Sequence, residues 1–124
     1  MAAIADKRSQ RLRIVVPEVV AGEAFTMLRY DRRVSGRRDA RAALSVFGLL
    51  AADSELFELR GMPDESYRRS GELLATYVDQ GFSWVDAIVL LCADDDRQVD
   101  GLLTVDSSLA VYRFSHQISL SSPA

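Results

Sequence analysis

The apolar positions of this chain repeat with two different periods. Over residues 83–93 (SWVDAIVLLCA) every side of a helix is apolar except at Asp86, the pattern of a helix buried all round. Residues 17–30 carry a stripe at Val20, Ala24, Met27 and Leu28, spaced as one face of a helix, and Glu23 falls within that stripe. Residues 39–52 read as a helix with Ala43, Val46, Phe47 and Leu50 turned inward, and residues 64–79 as a helix with Tyr67, Leu74 and Tyr77 inward. Strands are predicted at residues 11–16, 54–59, 102–105 and 116–120, with a short helical turn at 107–112. Pro17 favours the first helical position and biases Val16 to extended backbone, which sets the first strand–helix boundary.

Strands alternating with helices argue for an α/β fold with a mostly parallel sheet and helices on both of its faces. Such open sheets bind ligands beyond the carboxyl ends of their strands, where Asp106 is expected. The helix climbs about 12 Å from Asp86 to Asp94 at ~1.5 Å per residue. The strand returns about 13 Å from Leu102 to Asp106 at ~3.3 Å per residue. Asp86 and Asp106 are therefore expected at the same end of a helix–strand unit. Two carboxylates brought together there repel, and call for a cation or a shared proton.

Each acid also has a plainer role. Ser83 and Asp86 have the spacing of a capping box. Asp106 can cap the turn over residues 107–112, and Glu23 can sit at the rim of its helix. A divalent ion such as Mg²⁺ or Mn²⁺, held by all three, accounts for them with a single cause. Thr104 and Ser83 offer hydroxyls to a metal-bound water. His116, the only histidine, reads as a structural or surface residue, Trp84 as core, and Asp94, Asp95 and Asp96 as a solvated charge run.

The 124 residues suit one domain. A net charge of −3 gives no overall basic field, so nucleic-acid contact needs a local patch; Arg32, Arg33, Arg37 and Arg38 supply the candidate, though solvated loop arginines are the commoner outcome. The single cysteine, Cys92, rules out an internal disulfide, reads as core filler and fits a cytoplasmic setting. No apolar run reaches the ~18 residues of a membrane span, and residues 1–10 lack the apolar centre of a signal peptide.

SWVDAIVLLCA followed by LLTVD resembles the C-terminal half of PIN domains, in which a Ser-Phe-x-Asp-Ala helix precedes a strand ending Thr-x-Asp; VVPEVVAGEAFTMLR is similar to the segment carrying that family's helical glutamate. The resemblance runs from about Arg11 to Leu120, and the chain's size is that of a VapC-type toxin. It implies a single PIN-like domain over residues 1–124, a three-layer fold, and Glu23, Asp86 and Asp106 as catalytic and metal-binding acids, with Thr104 at the accompanying hydroxyl position. It further implies a Mg²⁺- or Mn²⁺-dependent endoribonuclease acting on RNA phosphodiesters, usually a homodimer, held inactive by a cognate VapB-like antitoxin. The family begins with an apolar, aspartate-bearing strand for which this chain shows no counterpart, Asp6 being the sole acid before Arg11. Three accounts follow: a start lying upstream, a strand supplied by a neighbouring chain, or an inactive member of the family. The alternative function is accordingly a catalytically incomplete PIN-like domain that dimerises or binds an antitoxin; a third is another carboxylate–metal phosphoesterase.

Overall fold

The computed structural model describes residues 13–30, 40–53, 55–104 and 106–121. Its elements run β1 (Ile14–Pro17), α1 (Glu18–Tyr30), α2 (Ala40–Ala52), β2 (Phe57–Arg60), α3 (Ser66–Thr76), a 3₁₀ turn at Val78–Gln80, α4 (Trp84–Asp95), β3 (Gly101–Leu103), a second 3₁₀ turn at Ser107–Val111 and β4 (Ser119–Ser121). This is the alternating α/β order expected from the hydrophobic pattern.

The core is built around α4. Ala87, Ile88, Leu90, Leu91, Cys92 and Ala93 are all buried, as expected of a helix apolar on every side. Leu90 and Leu91 cluster with Ala87, Leu73 from α3 and Leu109 from the second 3₁₀ turn; Phe82, Leu102, Phe114 and Leu120 close around them. Tyr77 joins that shell through ring contacts with Phe82 and Tyr112, at 5.9 and 5.5 Å between centroids. Its hydroxyl accepts a hydrogen bond from the Arg113 backbone N–H at 3.1 Å. Gly81, at φ 67°, makes the left-handed turn that ends the first 3₁₀ segment and sends the chain back into α4.

The strands form two sheets, where one was expected. β1 pairs in parallel with β2, Ile14 opposite Phe57 and Pro17 opposite Arg60. β3 pairs in parallel with β4, Gly101 opposite Ser119 and Leu103 opposite Ser121. Among the described residues no strand joins the two pairs. Both pairs approach α4, β1 directly and β3 and β4 through Leu102 and Leu120. Parallel strands cannot be joined by a tight hairpin, and here α1 and α2 make the first crossover and the second 3₁₀ turn belongs to the other. Pro17 closes β1 and does not open α1, which suits a residue with no N–H to donate to the ladder.

Four packing expectations are corrected. Ala21 is the buried residue of α1, and Glu23, two residues on, lies about 200° round the helix; Glu23 and Met27 face solvent. On α2 only Ala43 is fully buried, and Phe47 is exposed apart from its ring contact with Phe25 at 5.5 Å. On α3 the buried positions are Leu73 and Ser70, while Tyr67 is 80% exposed. Trp84 is likewise not core: at 37% exposure it stacks on Tyr67 at 6.0 Å and donates its indole N–H to Ser70 Oγ at 3.1 Å. Aromatic rings with one polar atom tolerate such half-wet positions.

Gly71 lies in the exposed interior of α3, and a Cβ there meets nothing within 4 Å. Gly71→Ala is expected to stabilise the protein by about 1 kcal/mol through helix propensity, raising Tm by a few degrees in a circular dichroism melt.

Candidate functional site

Asp86 stands in the first turn of α4. Ser83, extended at φ −76° and ψ 166°, caps that helix: its Oγ accepts from the Asp86 backbone N–H at 3.0 Å, and Asp86 Oδ2 accepts from the Ser83 N–H at 2.9 Å. This reciprocal box satisfies two of the donors that every helix start leaves unpaired. Asp86 is half-buried, and its Oδ1 accepts no hydrogen bond among the described residues.

Asp106 is exposed at the end of the chain segment following β3. Its Oδ1 accepts from Ser108 Oγ at 2.6 Å and from the Ser108 N–H at 2.9 Å, which caps the second 3₁₀ turn. The Ser108 hydroxyl first, and then the Ser108 amide, hold its carboxyl below the usual range. Thr104 Oγ1 accepts from the Asp106 N–H at 3.0 Å, so this hydroxyl fixes the approach to Asp106.

Glu23 is solvent-exposed on the outer side of α1. Among the described residues no three His, Cys, Asp or Glu side chains are grouped so as to hold a metal ion. Glu23, Asp86 and Asp106 are therefore not grouped with one another among the described residues. The physical reason is local: the two aspartates are oriented by the backbone amides they cap, and Glu23 is turned away from the buried face of its helix. Arg32, Arg33, Arg37 and Arg38, and Asp6, lie outside the described residues.

The acidic turn 94–96 departs from the expected solvated run, because all three acids are engaged. Asp94 Oδ1 accepts from the Ser115 N–H at 2.6 Å and from Ser115 Oγ at 2.9 Å. Asp95 takes both arms of Arg69, at 2.5 and 2.9 Å. Asp96 accepts from Arg60 at 2.9 Å and from the Gln98 N–H at 2.9 Å, while Arg60 also pairs with Glu58. Nothing near these acids in sequence announces their partners Ser115, Arg69 and Arg60. Beside them a shallow, open cavity of about 600 Å³ is bounded by Arg60, Met62, Pro63, Cys92 and Asp96. It lies by the last turn of α4, ten residues or about 15 Å along the helix from Asp86. Its lining mixes the Arg60–Asp96 ion pair with a thiol whose pKa burial raises, a setting in which Cys92 is a poor nucleophile. His116 Nε2 meets the Val99 carbonyl at 2.7 Å, tying the α4–β3 turn to the segment before β4, and its Nδ1 is buried with no hydrogen-bond partner among the described residues.

No protein-family model matches this chain, and no curated protein and no solved structure matches it. Among the described residues no helix is long and apolar enough to cross a membrane.

Ser83→Ala is expected to cost about 1 kcal/mol, read as a lower urea midpoint with an unchanged slope. Asp96 is held below the usual carboxylate range, first by the Gln98 N–H and then by Arg60. A depressed folded pKa gives stability that is complete above the unfolded value near 3.9 and is lost as pH falls toward the folded value. Tm is thus expected to decline on acidification below about pH 4, and Asp96→Asn is expected to flatten that decline.

Proposed function

We propose that this chain is a PIN-like domain acting by binding, as a dimerisation or antitoxin-binding module, and not as a self-sufficient nuclease. The observation that carries this reading is α2. Its sequence, ARAALSVFGLLAA, is polar only at Arg41 and Ser45, yet a single residue, Ala43, is fully buried. Leu44, Leu49 and Phe47 remain 58%, 53% and 46% exposed. A helix apolar on all sides is stable in water when its outer face is covered, and exposed apolar surface of this kind marks protein interaction sites. The two capping roles of Asp86 and Asp106 support the same reading, since both aspartates are already placed by structural hydrogen bonds.

The second reading is the Mg²⁺- or Mn²⁺-dependent ribonuclease, completed by an acid from outside the described residues. It is favoured by the carboxylate oxygens that capping leaves over, Oδ1 of Asp86 and Oδ2 of Asp106.

Calorimetric titration with Mn²⁺ and incubation with single-stranded RNA separate the two. The binding module is expected to show no saturable Mn²⁺ site and no cleavage. Metal-dependent cleavage by the pure protein, abolished by Asp106→Asn, would replace the first reading with the second.

A further inference from the structure

We infer that the open cavity beside the last turn of α4 binds a small carboxylate with an aromatic body, its anionic end held by Arg97 and Gln98. This goes beyond the association reading above and stands independently of it. The cavity's volume, about 600 Å³, lies within the ~300–1,000 Å³ range of small-molecule sites. Such sites combine an apolar lining with a few polar groups that fix orientation.

The apolar part of the lining is Met62, Pro63 and the Cys92 thiol. Met62 is 40% exposed, so the protein's own core leaves it uncovered. Two of these three residues carry sulfur, which makes favourable contacts with aromatic rings.

The polar part separates into groups already engaged and groups left over. Arg60 donates to Asp96 Oδ2 and pairs with Glu58. Asp95 receives one arm of Arg69 on each of its oxygens. The second oxygen of Asp96 accepts from the Gln98 N–H. Every carboxylate oxygen on the lining therefore has its donor, and an incoming cation would compete with those donors for them. Arg97 differs. Among the described residues its guanidinium makes no hydrogen bond and no ion pair, and the Gln98 carboxamide likewise has no partner. A guanidinium offers parallel N–H groups that match the two oxygens of a carboxylate.

These two free side chains are also presented on a braced turn. The Asp96 carbonyl accepts from the Val99 N–H at 3.0 Å, and Asp96 Oδ1 accepts from the Gln98 N–H at 2.9 Å. Arg97 and Gln98 are the central residues of that turn. Its far end is held by His116 Nε2 on the Val99 carbonyl, and its near end by Arg60 on Asp96. The backbone carrying the donors is thus fixed before a ligand arrives, which lowers the ordering cost of binding.

The test titrates the isotope-labelled full chain with phenylacetate and follows the amide NMR spectrum. Saturable shifts are expected at Met62, Arg97 and Gln98, and phenethylamine, which carries the same ring on a cation, is expected to produce none. Arg97→Gln alters an exposed side chain without partners among the described residues, so its circular dichroism spectrum is expected to be unchanged. It is expected to weaken phenylacetate binding about tenfold, the scale of one charge-assisted contact. Met62→Ala is expected to weaken it as well. The inference is overturned by an absence of saturable shifts, by shifts centred away from the cavity, by equal binding of phenethylamine, or by unchanged affinity in Arg97→Gln. None of these outcomes bears on the association reading, which the Mn²⁺ and RNA experiments decide separately.

Discussion

Three carboxylates at the C-terminal end of α4 occupy the position where a helix dipole is least favourable to them, and the rest of the fold depends on how they are held. Asp94 takes the backbone and hydroxyl of Ser115, Asp95 takes the guanidinium of Arg69 on α3, and Asp96 takes Arg60 at the end of β2. One turn of chain thereby fixes three separate elements around the buried helix. Single ion pairs at such exposure contribute little. Their joint effect is geometric: they set where α3, β2 and the approach to β4 meet α4, and the apolar contacts of Leu73, Leu90, Leu91 and Leu109 supply most of the cohesion.

What the sequence made legible was what short-range physics decides. The buried helix, its Ser83–Asp86 box, the Asp106 cap and the order of strands and helices follow from neighbouring residues and from periodicity. Apart from the Gln98 N–H two residues on, the partners of Asp94, Asp95 and Asp96 lie 21, 26 and 36 residues away, and no local pattern encodes them. The division into two sheets was equally hidden. Strand pairing is set by which edges meet in space, and strands of three or four residues carry too few side chains to specify a neighbour. The inner faces of α1 and α3 were misassigned for a related reason. Tyr67 and Met27 are apolar enough to suggest core, but the faces that are buried carry Ala21, Ser70 and Leu73.

The candidate site illustrates an ambiguity in acidic residues at element ends. The oxygen that caps a helix and the oxygen that ligates a cation are the same atom type in the same kind of place. Sequence spacing alone cannot assign the role. Here both aspartates are bound to backbone amides through one oxygen each, Glu23 faces away from the buried side of α1, and the apolar surface of α2 becomes the more distinctive feature of the molecule. That shift in emphasis, from carboxylates to leucines, is what moves the functional reading from chemistry to association.

Trp84 gives the joint between α3 and α4 an intrinsic optical label. It is the sole tryptophan of the chain, sandwiched on one side by Tyr67 and anchored through its indole N–H to Ser70. Its emission wavelength and its energy transfer from Tyr67 both depend on that docking. Separation of α3 from α4 therefore alters the fluorescence directly, independently of events at β1 or α2, and partial opening of the core can be distinguished from complete unfolding without attaching a dye.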